Sequence, residues 1–220
     1  MVHSAQSDAF IELDHVTAGY GKEPDVFKDA SLKIDQPGLY RVHGPNGAGK
    51  STLIEVLSGY LHPRDGEARV NGLLASDPAA HELRRVCRTE PALYPMMGVR
   101  DHLVFASRWN GSSPDKALER AVAYGLGPWL DTPAEALSTG NKRRLWLIQC
   151  TVGQFRTVIL DEPFNGLDQH SVTLLCTELE EWAKSTCVLL TAHLPPAELV
   201  IDHQVEWNPR VLLEHEHFTG

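Results

Sequence analysis

The sequence predicts an α/β fold: a mainly parallel sheet under helices, with an antiparallel β part beside it and a helical insertion. Three observations carry this. Short β-branched or apolar runs alternate with helical patterns along the chain. The stretch GEARVNGLL (residues 66–74) sets an Asn-Gly pair between alternating residues, which reads as a hairpin and requires some antiparallel sheet. From about residue 91 to 153 strand signals vanish and helical periodicity takes over. The chain has 220 residues, 42% hydrophobic and 22% charged, which is the size and balance of an ordinary globular protein. It shows no internal repeat, low-complexity tract or long linker. Residues 1–220 are therefore expected to form one domain, with a helical subdomain over about 91–153 inserted between two strands of one sheet.

In chain order, residues 11–16 and 39–43 read as strands, the second leading directly into GPNGAGKST (residues 44–52) and the helix-like STLIEVLSG. The hairpin follows. Within the helical stretch, breaks fall at Asn110-Gly111, at 125–128 and at 131–133, where Gly and Pro interrupt the pattern. LSTGNKRR (residues 137–144) then places a serine and a glycine at a turn before a basic stretch that starts a helix. Residues 158–161 and 187–191 read as the remaining strands.

GPNGAGKST, between a strand and a helix, is the context that the GxxxxGK[ST] pattern requires. Gly44, Gly47 and Gly49, with Pro45, Asn46 and Ala48 between them, let the main chain curl around a phosphate with N–H groups inward, at a helix start whose dipole favours an anion. Lys50 adds a movable positive charge, and Thr52 closes the motif. Ser51 supplies a hydroxyl for Mg²⁺, bridging the β- and γ-phosphates of a nucleotide.

TVILDEP (residues 157–163) is an apolar strand ending in adjacent acids, delivered to the C-terminal edge of a sheet, where ligands of open α/β sheets bind. Asp161 is expected to hold Mg²⁺, directly or through water. Glu162 is expected to act as general base on the attacking water, an effect of about 10²- to 10⁴-fold. CVLLTAH repeats the arrangement with His193 at its end. If the two strands are neighbours, the imidazole reaches the γ-phosphate and the attacking water.

Composition excludes several classes. The formal charge of −9 opposes sequence-independent binding to nucleic acid. No apolar run approaches a membrane span, and the first ten residues lack the apolar core of a secretory signal. Cys87, Cys150, Cys176 and Cys187 are far apart and form no CxxC pair, so they read as reduced thiols. Among eleven histidines only His215 and His217 lie close together, in a polar tail, where metal binding is the lesser reading.

The order of these pieces resembles the nucleotide-binding subunit of ATP-binding cassette (ABC) transporters, over nearly the whole chain. GPNGAGKST is similar to its Walker A, VILDEP to its Walker B, NGLD (residues 165–168) to its D-loop, TAH to its switch histidine and LSTGNKRR to its LSGGQ signature. The resemblance implies a P-loop NTPase (RecA-like) fold, with ATP and Mg²⁺ as cofactors and ATP hydrolysis coupled to transport. It implies that Tyr20 stacks on adenine and that Asp168 belongs to the nucleotide site. It also implies that two subunits pack head to tail, with a homodimer expected and pairing with a different cassette left open. Ser138 and Gly140 of each then cap the γ-phosphate on the partner's phosphate loop. A separate membrane-spanning permease would be driven, through residues 92–103, with the chain cytoplasmic and peripheral at the inner face of the membrane. The single polar-ended signature resembles that of exporter-type cassettes.

Three positions depart from the family. Thr139 stands for the usual signature glycine, which predicts an ordinary φ there, and Asn141 stands for the usual glutamine. Thr89 occupies the place of a glutamine that links the metal site to the transporter contact; its shorter side chain needs a water or backbone movement to reach a metal. Two other functions stay open: a soluble ABC ATPase outside transport, or an ATP-binding regulatory subunit with weak hydrolysis.

Overall fold

The computed structural model describes residues 9–208. Along the chain, β1 (Ile11–Ala18), β2 (Phe27–Ile34) and β3 (Gly38–His43) precede α1 (Lys50–Leu57). The strands β4 (Asp65–Val70) and β5 (Leu73–Leu74), the one-turn α2 (Ala80–Leu83) and β6 (Arg84–Cys87) follow. Three helices come next: α3 (Val99–Trp109), α4 (Pro114–Ala123) and α5 (Thr139–Cys150). The chain ends with β7 (Thr157–Asp161), α6 (Gln169–Ala183), β8 (Cys187–Thr191) and β9 (His203–Glu206).

Two sheets result. One is antiparallel, in the order β2-β1-β4-β5; the other has the order β6-β7-β8-β3-β9, and all its pairs are parallel. The pleat explains why β7 and β8 are apolar at consecutive positions. Val158, Leu160, Val188 and Leu190 face the core shared with α3 to α6, which also holds Leu103, Tyr124, Leu145 and Leu175. Ile159 and Leu189 point the other way, into the core formed with the antiparallel sheet and α1, alongside Ile11, Val16 and Leu53.

The hairpin is as expected: β4 and β5 pair at Arg69↔Leu74 and Val70↔Leu73. Asn71 and Gly72 between them have φ 53° and 79°, both positive as a two-residue type I′ turn demands. Between the neighbouring strands β6 and β7 the chain runs through α3, α4 and α5, with the expected breaks. Asn110 caps α3 and Gly111 follows at φ 63°.

Three strands carry no clear sequence signal. β2 is bulged against β1, with register shifts between Leu13 and Val16 and again before Ala18, so its alternation is interrupted. β9 is a four-residue edge strand. β6 begins with two arginines that are nonetheless buried, because each guanidinium is spent on main-chain carbonyls. Arg84 donates to Leu57 O (2.7 Å), Ser58 O (2.7 Å) and Ala75 O (3.0 Å). Burial pulls its pKa down to about 10, which still leaves it cationic at neutral pH. Arg85 likewise reaches Val152 O and Gln154 O.

The helices between β6 and β7 are tied to α6 by one half-buried cluster. Arg120 on α4 grips both carboxylate oxygens of Glu178 (2.6 and 2.7 Å) and the Thr151 hydroxyl (2.7 Å), and the Tyr124 hydroxyl donates to Glu178 (2.8 Å). All four cysteines are free thiols; three are buried and Cys150 is half-buried. His215 and His217 lie outside the described residues.

Candidate active site

The phosphate loop leaves β3 and enters α1 at Lys50. Gly47 and Gly49 have φ 79° and 88°, a region closed to most side chains. Gly44 is required for a different reason: a Cβ there would lie 2.1 Å from the carbonyl oxygen of Trp207. Trp207, buried just past β9, also donates its indole N–H to Ala48 O (3.1 Å), so this side chain braces the loop from below. The Lys50 ammonium donates to Gly44 O (2.7 Å) and Pro45 O (3.0 Å); its third N–H is left for a ligand.

A cavity of about 520 Å³ opens over this loop. Asn46, Gly47, Gly49, Lys50, Ser51 and Thr52 line one side; Asp161, Glu162 and His193 line the other, with Val26, Thr89 and Thr191 between them. β7 and β8 are neighbours in register, Asp161 opposite Thr191, which is what brings the acids and the histidine together. Both Asp161 carboxylate oxygens accept hydroxyl hydrogen bonds, from Thr191 and from Thr89, each 2.7 Å. Thr89 thus acts on the carboxylate rather than reaching past it.

Glu162 is a non-glycine residue at φ 47°, an uncommon conformation that recurs at functional positions. Its N–H is held by Thr191, through the carbonyl (3.2 Å) and the hydroxyl (3.1 Å). Its carboxylate accepts from the His193 backbone N–H (3.3 Å) and lies 3.7 Å from the imidazole Nε2. The carboxylate is largely covered while the His193 side chain is 62% exposed. Arg41, on β3, fixes this corner from beneath, donating to Ala192 O (2.9 and 3.0 Å) and His193 O (2.9 Å).

Tyr20 does not line the cavity but stands at its rim, 41% exposed, with its hydroxyl 3.3 Å from Thr52 Oγ1. The Ser138 turn does not line it either. Ser138 is the N-cap of α5 and its hydroxyl oxygen accepts the Asn141 N–H (3.2 Å), which leaves the hydroxyl proton free. The turn is exposed, and Gly140 follows within the first turn of α5, where backbone N–H groups have no intrahelical acceptor. Thr139 is helical, as expected for a β-branched residue. Asp168 caps α6, accepting from Ser171 N (2.8 Å) and pairing with Arg144 (3.0 Å). The Ser171 N–H, with help from Arg144, lowers its pKa.

A second, larger cavity of about 860 Å³ shares Ser51, Thr89 and Asp161 with the first and runs outward past Tyr60, Arg88, Phe105 and Trp109. Its aromatic rim is exposed, as are Tyr94 and Met96 nearby. Residues 92 and 94–96 are therefore exposed, while Leu93 packs against the core. Residues 92–98 are shaped by the buried His102, whose ring meets Tyr94 N (3.0 Å) and Gly98 O (2.9 Å). Among the described residues, no helix is long and apolar enough to cross a membrane.

Arg41, Trp207 and Thr191 were not singled out by sequence reasoning. Two of them act on main-chain atoms from positions more than 150 residues away in sequence, so no local pattern marks them. Thr191 carried a signal, lying two residues before His193 at a strand end.

Known proteins resemble the chain over most of its length. The sequence profile of the family described as "ABC transporter" matches residues 27–165. A cytochrome c biogenesis ATP-binding export protein CcmA of Aromatoleum aromaticum is 36% identical over 174 residues, covering 76% of this chain and 81% of that protein. A second such protein, CcmA 2 of Cupriavidus metallidurans, is 32% identical, covering 80% of this chain and 87% of its own. Among solved structures, the ATP-binding subunit of an ABC transporter superposes with a TM-score of 0.81 at 26% identity, covering 91% of this chain and 86% of that one.

Proposed function

The chain belongs to the ABC transporter family, an ATPase cassette whose hydrolysis of ATP is coupled to transport, and from that premise we propose which of its residues do the work. The reading rests on one observation above all: Lys50 and Ser51 face Asp161, Glu162 and His193 across a single cavity, while the exposed Ser138 turn stands apart from it.

Lys50 holds the β- and γ-phosphates, with the main-chain N–H groups of residues 46–51 around them. Tyr20 at the rim offers its ring to the adenine. The donor set suits Mg²⁺: one hydroxyl from Ser51 and one carboxylate from Asp161, all hard oxygen, with free lone pairs remaining on Asp161. Ser51 and Asp161 would hold the ion together with phosphate oxygens and water; among the described residues no group of three or more His, Cys, Asp or Glu could hold a metal by itself. When bound, the ion neutralises charge on the β- and γ-phosphates. Glu162 orients the attacking water and accepts its proton. His193 holds the Glu162 carboxylate through its backbone N–H and directs its imidazole at the γ-phosphate.

The Ser138 turn serves a second copy. Ser138 has a free hydroxyl proton, and Gly140 has a free backbone N–H at a helix N-terminus; both cap the γ-phosphate on the partner's phosphate loop, in a head-to-tail homodimer with Asp168 at the same seam. Hydrolysis removes the bridging group and opens the pair. Residues 92–103 and the aromatic rim of the larger cavity receive a membrane-spanning permease, at the cytoplasmic face of the membrane. Export is the direction supported by the relatives named as export proteins.

Glu162→Gln tests the reading. Turnover of ATP should fall by about 10²- to 10⁴-fold with nucleotide affinity preserved. A rate within about threefold of wild type would remove Glu162 from the mechanism.

A further inference from the structure

Arg143 lies on α5, five residues beyond Ser138, and is 4% exposed although it carries a charge. No carboxylate pairs with it among the described residues. Its guanidinium instead donates four hydrogen bonds to main-chain carbonyls. Nη1 reaches Arg88 O (2.8 Å) and Thr89 O (2.7 Å); Nη2 reaches Asp161 O (3.2 Å) and Glu162 O (2.8 Å). Nε is buried without a partner.

A charge without a counter-ion is a costly way to fill a core position, and an apolar side chain of similar length would fill it without that desolvation. The cost is offset only by what the fork holds, since one planar group with fixed geometry joins two segments. These are the loop after β6 and the end of β7, otherwise joined by the Thr89 hydroxyl on Asp161. At the end of β7 stands Glu162, whose φ of 47° persists only where its surroundings over-determine it. Thr191 fixes its N–H and Arg143 fixes its carbonyl, so the residue is pinned on both sides of its Cα. Lys142 and Arg144, the neighbours on α5, make other contacts and share none of these carbonyls.

We infer that Arg143 is a positioning residue for hydrolysis: it holds Glu162 in the left-handed conformation that aims its carboxylate at His193 and the cavity. Because the same side chain is rooted in α5, it also couples the placement of Glu162 to that of the Ser138 turn. The inference rests on Glu162 as the base proposed above.

The test is steady-state hydrolysis by the full chain, comparing Arg143→Met, Arg143→Lys and Trp146→Phe. Arg143→Met should lower kcat about 30-fold with KM for ATP within about twofold, the signature of lost transition-state positioning. Arg143→Lys, whose ammonium offers three donors for the four carbonyls, should recover most of this and stand about fivefold below wild type. Trp146→Phe removes another α5 hydrogen bond to Arg88 O (3.0 Å) without touching residues 161 and 162, and should leave kcat unchanged. The inference is overturned if Arg143→Met keeps kcat within about threefold, if KM moves as far as kcat, or if Trp146→Phe is equally impaired. Should the Met variant not fold, the Lys variant decides alone: unchanged kcat, or a matching rise in KM, overturns the proposal. An active Glu162→Gln would instead remove the base itself, whereas an inactive Glu162→Gln beside a fully active Arg143→Met defeats only the role of Arg143.

Discussion

The phosphate loop and the carboxylate edge opposite it hold their main chain in different ways. The loop is nearly self-contained: nine consecutive residues supply the two positive-φ glycines, the lysine and the hydroxyls, with Trp207 on Ala48 O and Tyr20 beside Thr52 as hydrogen-bonding side chains from elsewhere. The edge is assembled from three distant segments, with Thr89, Asp161, Glu162, Thr191 and His193 set by each other's hydroxyls and by two arginines, from two further segments, on carbonyls. A contiguous motif can take its shape from the positive φ that its own glycines allow. A distributed site needs outside donors. The loop should therefore fail in binding, and the edge should fail in turnover.

The sharpest break is Gly44→Ala. The new methyl group would meet the Trp207 carbonyl at 2.1 Å, and that residue is itself bonded to His43 O (2.8 Å), so either β9 or the loop must shift. Overpacking of this kind costs about 3 kcal/mol, or roughly 6–12 °C in Tm for a chain of this size, and ATP affinity should fall with it. A melting curve within about 1 °C of wild type would mean that the loop does not depend on this close approach.

Thr191→Val tests the other side. It removes the hydroxyl that donates to Asp161 and accepts from Glu162 N–H, and should lower kcat about tenfold, close to 1.4 kcal/mol, with KM nearly unchanged. A loss of ATP affinity instead would erase the contrast between the two sides.

The same contrast explains what was legible in the sequence. The phosphate loop, the Asn71-Gly72 hairpin and the Ser138 cap were readable because each is local: a few adjacent residues carry both the geometry and the chemistry. The neighbouring of β7 and β8, and with it the meeting of Glu162 and His193, could only be stated as a condition. Arg41, Arg143 and Trp207 were not legible, since their partners are backbone carbonyls, which have no side-chain identity to recognise. β6 was missed for a related reason, as Arg84 and Arg85 look like surface residues until the carbonyls that absorb their charge are seen. Thr89 was legible as a departure, yet its bond to the Asp161 carboxylate depends on the pairing of β6 with β7.

The central claim is that one triphosphate is gripped by two copies of the chain, and sedimentation of the Glu162→Gln variant with ATP and Mg²⁺ tests it most directly. The variant should sediment as a dimer. Adding Ser138→Ala should shift it to monomer, while calorimetric affinity of the monomer for ATP stays within about twofold. A dimer that survives Ser138→Ala, or a monomer that loses its ATP affinity with that change, would place the Ser138 turn elsewhere and contradict the account.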